Sequence, residues 1–89
     1  MVPDDLQTQL MDVCVAVTHE ARDRRLTRDE VFEYLKIVNS AARICAGLNK
    51  RIDRVGLERA KDDIFRFVGI AVKRILAIRK AVEERESGP

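Results

Sequence analysis

The residues that build tight turns are scarce in this sequence. It has only four glycines and two prolines among 89 residues, and both prolines lie within three residues of a chain end. A β-sheet protein of this length would need more turn residues to reverse its strands. We therefore expect an all-α fold. Because a domain typically contains about 100 residues, we expect a single domain over residues 1–89.

The features of exported and membrane-spanning proteins are also lacking. No apolar run approaches the ~20 residues that a transmembrane helix needs, and the N-terminus is acidic where a signal peptide would be basic. The only cysteines, Cys14 and Cys45, are too few for a disulfide framework and favour reduced thiols. A disulfide is the alternative, provided that their Cα atoms lie within about 7 Å. We expect a cytoplasmic protein with no membrane contact.

Residues suited to catalysis or metal binding are few. His19 is the only histidine and is expected on the polar side of the first helix, where no base, nucleophile or metal partner stands at useful spacing. Together with Cys14 and Cys45 it would still lack a fourth ligand for zinc. The glycines are isolated and form no phosphate-binding loop. We expect no enzymatic activity, no cofactor and no metal site.

Apolar residues, by contrast, are abundant and recur at helical spacing. In the segment 57–82 a stripe at alternating three- and four-residue steps, interrupted only at Lys61, is typical of a helix that packs against other helices. Its members are Leu57, Ile64, Val68, Ala71, Ile75, Ile78 and Val82. Phe65, Val72 and Leu76 lie beside the stripe, so we expect this helix to be covered on two sides.

Local signals place the ends of three helices. Helix one is predicted from Pro3 to about residue 23, because proline suits a first helical position. Thr27 and Glu30 have the spacing of a capping box, so helix two should begin at residue 28. Gly56 should end it near residue 54 in a Schellman motif, although a break at Gly47 is the alternative. Helix three is predicted over residues 58–84.

Helix two carries two adjoining apolar stripes, so it should contact two neighbours. We expect the first stripe to face inward, and it consists of Val31, Leu35, Val38, Ala42 and Cys45. The second lies to one side and consists of Tyr34, Ile37, Ala41, Ile44, Leu48, Ile52 and Val55. The predicted architecture is a small antiparallel bundle of three helices, with four as the alternative, in which the second and third helices are long.

The predicted helix lengths leave apolar surface uncovered. A first helix of about 30 Å cannot cover two helices of about 40 Å along their full length, which predicts a dimer or higher assembly. Candidate interface residues are apolar side chains expected outside the inward stripes, namely Met11, Val15, Phe32 and Ile70. We therefore expect an assembly, adaptor or regulatory binding module that associates with its own copies or with another protein.

Basic residues offer an alternative function. The net charge is only +2, but residues 64–82 contain five bases and no acid. Basic side chains aligned along helices two and three could follow a phosphate backbone, which predicts nucleic-acid binding, although a solvated helix surface has the same composition. The candidates are Lys36, Arg43, Lys50, Arg51, Arg54, Arg66, Lys73 and Lys80. Arg79 lies on the apolar side of helix three, where we expect it to snorkel or to pair with an acid of another helix.

Overall fold

The computed structural model describes residues 4–88, which form three α-helices and no strand. Helix α1 spans Asp4–Asp23, α2 spans Arg28–Val55 and α3 spans Leu57–Glu86. The all-α prediction is confirmed, whereas the predicted start at Pro3 lies outside the described residues. Helix α2 continues through Gly47 without a break. Helix α3 extends two residues beyond its predicted end.

The start of α2 is fixed by the predicted capping box. The backbone N–H of Glu30 donates to Thr27 Oγ1 at 3.2 Å, and the backbone N–H of Thr27 donates to Glu30 Oε1 at 2.8 Å. Two backbone donors that the helix itself leaves without partners are thereby satisfied. The helix therefore begins where the sequence predicts.

A single residue, Gly56, joins α2 to α3. Its N–H donates to the carbonyl oxygen of Ile52 at 2.9 Å, and its own carbonyl accepts from the N–H of Ala60 at 3.2 Å. Gly56 has φ 91° and ψ 159°, not the left-handed helical angles that a Schellman motif requires. The predicted Schellman ending is therefore wrong. Gly56 instead adopts a conformation that only glycine reaches readily, and α3 starts at the next residue.

Each helix packs against both of the others around two groups of buried residues. The group nearer Gly56 contains Leu6, Leu10, Ala41, Leu48, Ala60 and Ile64. The group nearer the α1–α2 connection contains Val13, Val17, Tyr34, Ile37, Ala71 and Ile75. Both groups draw residues from all three helices, so removing any one helix would expose the whole core.

The structure reverses the predicted roles of the two stripes on α2. The second stripe supplies the buried residues Tyr34, Ile37, Ala41 and Leu48, whereas Val31 and Leu35 of the first are 42% and 49% exposed. The first stripe was expected to need a neighbour of its own. Within residues 4–88, however, α1 and α3 both pack against the side of α2 that carries Tyr34, and no further helix covers Val31 and Leu35. Val38 and Cys45 of the first stripe are half-buried against the core.

The prediction that α3 is covered on two sides is likewise wrong in part. Ile64, Ala71, Ile75 and Val82 are buried as expected, but Phe65, Val72 and Leu76 are exposed. In the described part of the chain, α1 and α2 contact α3, and the residues of α3 that they bury are Ile64, Ala71, Ile75 and Val82.

Ion pairs join the helices along their length. Arg51 near the end of α2 bonds Asp63 near the start of α3 at 2.9 Å, and Glu33 near the start of α2 bonds Arg74 in the second half of α3 at 2.7 Å. The molecule measures 54 × 19 × 17 Å along its principal axes. Across residues 4–88, no helix combines the length and the apolar character that crossing a membrane requires.

Candidate functional site

The four apolar residues proposed as interface candidates are all exposed but do not form one patch. Met11 and Val15 line one shallow cavity on the outer side of α1, together with Cys14 and Thr18. Phe32 lies on α2, and Ile70 borders a separate groove between α2 and α3. The structure therefore brings together only Met11 and Val15.

Helix periodicity places the exposed stripe of α2 on the side away from α3. Glu33 and Arg51 mark the flank of α2 that faces α3, because both form ion pairs with that helix. Val31, Leu35 and Ala42 lie about half a turn around α2 from this flank, since each residue advances about 100°. They therefore lie on the opposite flank, as exposed residues. The exposed residues on this flank of α2 and on α1 are together called the α1–α2 face, which consists of Met11, Val15, Val31, Leu35 and Ala42.

A second exposed stripe lies on the side of α3 away from α2. Phe65, Val72 and Leu76 lie about half a turn around α3 from Asp63 and Arg74, which face α2. Sequence reasoning missed this stripe as an exposed feature because it assigned these residues to the core. Their helical spacing indicates a shared flank but not whether a neighbouring helix covers it.

Four of the eight basic candidates lie around one pocket between the second half of α2 and the start of α3. The pocket has a volume of about 380 Å³ and is open to solvent. Its apolar lining consists of Ile44, Leu48, Ala60 and Ile64. Its polar lining consists of Arg43, Lys50, Arg51, Arg54 and the single acid Asp63, and this site is called the basic pocket.

The charges of the basic pocket are unbalanced. Arg51 Nε donates to Asp63 Oδ2 at 2.9 Å, which pairs the one acid with one of the four bases. Arg43, Lys50 and Arg54 are exposed and form no ion pair within the described part of the chain. Three positive charges therefore surround an apolar floor without a matching carboxylate.

Gly47 lines the basic pocket, and a Cβ atom added there would meet no heavy atom within 4 Å. The position is therefore open to a side chain. Sequence reasoning treated Gly47 as a candidate helix break. Its location on the same face as Arg43, Lys50 and Arg54 follows from helical spacing, which does not by itself indicate a cavity.

The remaining basic candidates lie outside the basic pocket. Lys36 Nζ is 3.2 Å from Glu33 Oε1, so its charge is already paired. Arg66, Lys73 and Lys80 are exposed and follow one another at seven-residue steps along the outer side of α3. The eight candidates therefore do not form one continuous surface.

A buried acid occupies the end of the molecule where α1 finishes. Glu20 is only 7% exposed, and its carboxylate accepts a hydrogen bond from Arg79 Nε at 2.7 Å and lies 2.6 Å from Arg24 Nε. The prediction that Arg79 pairs with an acid of another helix is confirmed. The hydrogen bond that Arg79 donates to Glu20 raises the pKa of Arg79. Since both arginines neutralise it, this carboxylate is suited to joining helices.

Tyr34 and Cys14 are further ionisable groups in and beside the core. Burial, followed by the charge of Glu20, raises the pKa of the Tyr34 hydroxyl. Burial, followed by the nearby Cys45 thiol, raises the pKa of Cys14, which makes it a poorer nucleophile at neutral pH. Both thiols are free and half-buried. Within residues 4–88, no three His, Cys, Asp or Glu side chains are grouped as a metal site requires.

No known protein family, curated protein or solved structure matches this chain. Its function is therefore inferred from the chemistry of the α1–α2 face and the basic pocket. The first is an apolar surface and the second a cationic cavity, so they suit different partners.

Proposed function

We propose that the protein is a non-enzymatic, single-domain bundle of three antiparallel helices that assembles with a second copy of itself through the α1–α2 face. Two ion pairs support the antiparallel arrangement of α2 and α3. One joins Arg51 to Asp63 beside Gly56, and the other joins Glu33 to Arg74 far from it. Pairs placed in this way favour α2 and α3 running in opposite directions.

The exposed stripe on α2 is the observation that carries the proposal. Val31, Leu35, Val38 and Ala42 follow the alternating four- and three-residue spacing of helices that pack against a partner. Val31, Leu35 and Ala42 are exposed in the single chain, although Val38 is half-buried. Burying this stripe against a second copy would remove its apolar surface from water, which favours association.

The chain exposes more surface than a compact protein of its mass. It exposes 6455 Å², whereas a compact monomer of 10.2 kDa is expected to expose about 5,300 Å². This excess is consistent with the elongated form of the bundle, which leaves long helix faces open to a partner. Phe32, on the outer side of α2, would extend the interface beyond Leu35.

Sedimentation equilibrium at micromolar concentration tests this proposal. The parent should show twice the chain mass, and Leu35→Glu should show the chain mass because a charge would be buried in the interface. Ile70→Glu is the matched control, since Ile70 is similarly exposed but lies in the groove between α2 and α3. A parent of single-chain mass, or equal behaviour of the two variants, would exclude assembly through this face.

Nucleic-acid binding is the second candidate, and the exposed row of Arg66, Lys73 and Lys80 favours it. No acid forms an ion pair with these residues in the described part of the chain, and they lie on one side of α3. Together with the cations of the basic pocket they could contact a phosphate backbone. Engagement of about five phosphates predicts a slope near −4 to −5 in log affinity against log salt concentration.

A salt titration with duplex DNA distinguishes this second candidate. Lys73→Glu should weaken binding strongly, while Lys36→Ala should weaken it little because Lys36 is paired with Glu33. If the parent protein fails to bind duplex DNA at low salt, the nucleic-acid function is excluded. Self-association would be unaffected by that result.

A further inference from the structure

The basic pocket has an apolar floor and a positively charged rim. Its floor is made of the buried residues Leu48, Ala60 and Ile64 and the half-buried Ile44. Its rim carries four bases and one acid. A ligand seated there would contact apolar atoms below and positive charges around the opening.

The size of the cavity limits the ligand. A volume of about 380 Å³ lies at the lower end of the range of about 300–1,000 Å³ that is typical of small-molecule sites. Because the cavity is open, one end of the ligand would remain at the rim. The pocket is too small to enclose a folded partner, and its apolar floor offers contacts that a phosphate group alone would not use.

The positive charge of the rim favours a ligand of negative charge. Asp63 is satisfied by Arg51, so Arg43, Lys50 and Arg54 remain available to an incoming group. Guanidinium groups match carboxylate and phosphate geometry and form charge-assisted hydrogen bonds with them. A cationic ligand would meet net repulsion, and a neutral one would leave these charges unused.

We propose that the basic pocket binds a free small anionic amphiphile, with a carboxylate or phosphate group held by Arg43, Lys50 and Arg54 and a short apolar chain on the floor of Ile44, Leu48 and Ile64. This site lies between α2 and α3 and does not include the α1–α2 face. It is therefore independent of the proposed self-association.

Isothermal titration calorimetry with the full chain tests the ligand chemistry. Octyl phosphate, below its critical micelle concentration, should bind at least about tenfold more tightly than octyl glucoside, which has the same chain and a neutral head, because charge-assisted bonds are lost. It should also bind at least about tenfold more tightly than inorganic phosphate, which lacks the chain. Octyl phosphate affinity equal to that of either octyl glucoside or inorganic phosphate would overturn the proposal.

A substitution at Gly47 tests the location. Gly47→Leu should fill the cavity and weaken octyl phosphate binding by about tenfold or more. It should preserve folding, because leucine favours the helix more than glycine and the added Cβ has no close neighbour. Gly69→Leu is the matched control, since Gly69 is also helical, exposed and without neighbours within 4 Å of an added Cβ. Circular dichroism verifies that both variants keep their helicity.

A second variant keeps the test informative if Gly47→Leu fails to fold. Arg54→Gln removes a rim charge without entering the cavity, and should weaken octyl phosphate while leaving octyl glucoside unchanged. Unaltered octyl phosphate affinity in the folded Gly47→Leu variant, or in Arg54→Gln, would overturn the proposal. So would binding to duplex DNA or to phosphatidylglycerol vesicles without binding to octyl phosphate, since the pocket would then serve a macromolecular or membrane anion.

Discussion

Glu20 of α1 accepts a hydrogen bond from Arg79 of α3, 59 residues further along the chain, with Nε and Oε1 2.7 Å apart. No connection in the chain joins these two helices directly, because α2 lies between them in sequence. Arg24 lies against the other oxygen of the same carboxylate and also approaches Glu83 at 3.3 Å. These ion pairs thus connect α1 and the residue that follows it, Arg24, to α3 at the end of the molecule opposite Gly56.

Replacing Glu20 should destabilise the fold. Glu20→Ala removes the anion that two arginines share, and we expect the free energy of unfolding to fall by about 1–3 kcal/mol in urea denaturation. Asp12→Ala on the same helix is the control, because Asp12 is exposed and should change stability by less than about 0.5 kcal/mol. Equal losses in the two variants would show that the buried carboxylate has no special role.

The cap of α2 provides a second prediction. Thr27→Ala removes the oxygen that accepts from the N–H of Glu30, so unfolding free energy should fall by about 1 kcal/mol. Thr27→Ser keeps a hydroxyl at the same position and should restore most of that loss. Thermal denaturation followed by circular dichroism measures both, and a serine variant as unstable as alanine would contradict the capping role.

Acid should weaken the contact between Glu30 and Arg85. The hydrogen bond from Arg85 is the main cause that lowers the pKa of Glu30 to about 2, from an ordinary value of 4.5. The folded state therefore binds this proton less tightly than the unfolded state. The stability that Glu30 contributes is present above about pH 4.5 and is lost as the pH falls toward 2.

The Glu30→Gln variant tests this pH dependence. Its melting temperature should depend less steeply on pH than that of the parent between pH 4.5 and 2, because glutamine has no proton to gain in that interval. At neutral pH the variant should be less stable, since the ion pair with Arg85 is absent. Parallel pH profiles for the two proteins would contradict the lowered pKa.

Leucine truncations distinguish the buried stripe from the exposed one. Leu10→Ala should cost about 2–5 kcal/mol, because Leu10 is 2% exposed and its removal leaves a cavity. Leu35→Ala should cost less than about 1 kcal/mol at concentrations where light scattering gives a single-chain mass. Comparable losses under those conditions would place Leu35 in the core of the single chain, as the sequence alone suggested.

The features that depend on residues close together in the sequence were predictable, and those that depend on distant helices were not. The start of α2 was predictable because Thr27 and Glu30 satisfy each other's backbone N–H groups within one helical turn. The choice between the two stripes of α2 was not, because both have helical spacing and the outcome depends on which side α1 and α3 approach. The Schellman ending failed for a related reason, since the immediate start of α3 imposes the backbone angles of Gly56.

The candidate sites also combine features that local spacing predicts with features that depend on helix packing. The alignment of Arg43, Lys50 and Arg54 on one side of α2 followed from periodicity alone. Their enclosure of an apolar floor required the position of Ala60 and Ile64 on α3, which no local pattern specifies. The pairing of Arg79 was foreseeable as chemistry, but the identity of its partner Glu20 required the packed helices.

The elongated form of the molecule affects how its mass must be measured. Its radius of gyration is 14.9 Å, compared with about 12 Å for a compact domain of this length. A rod-like particle diffuses more slowly than a sphere of equal mass, so gel filtration against globular standards would overestimate the size of a single chain. Elution volume alone would make a monomer resemble a dimer, and only shape-independent methods such as static light scattering or sedimentation equilibrium can distinguish the two.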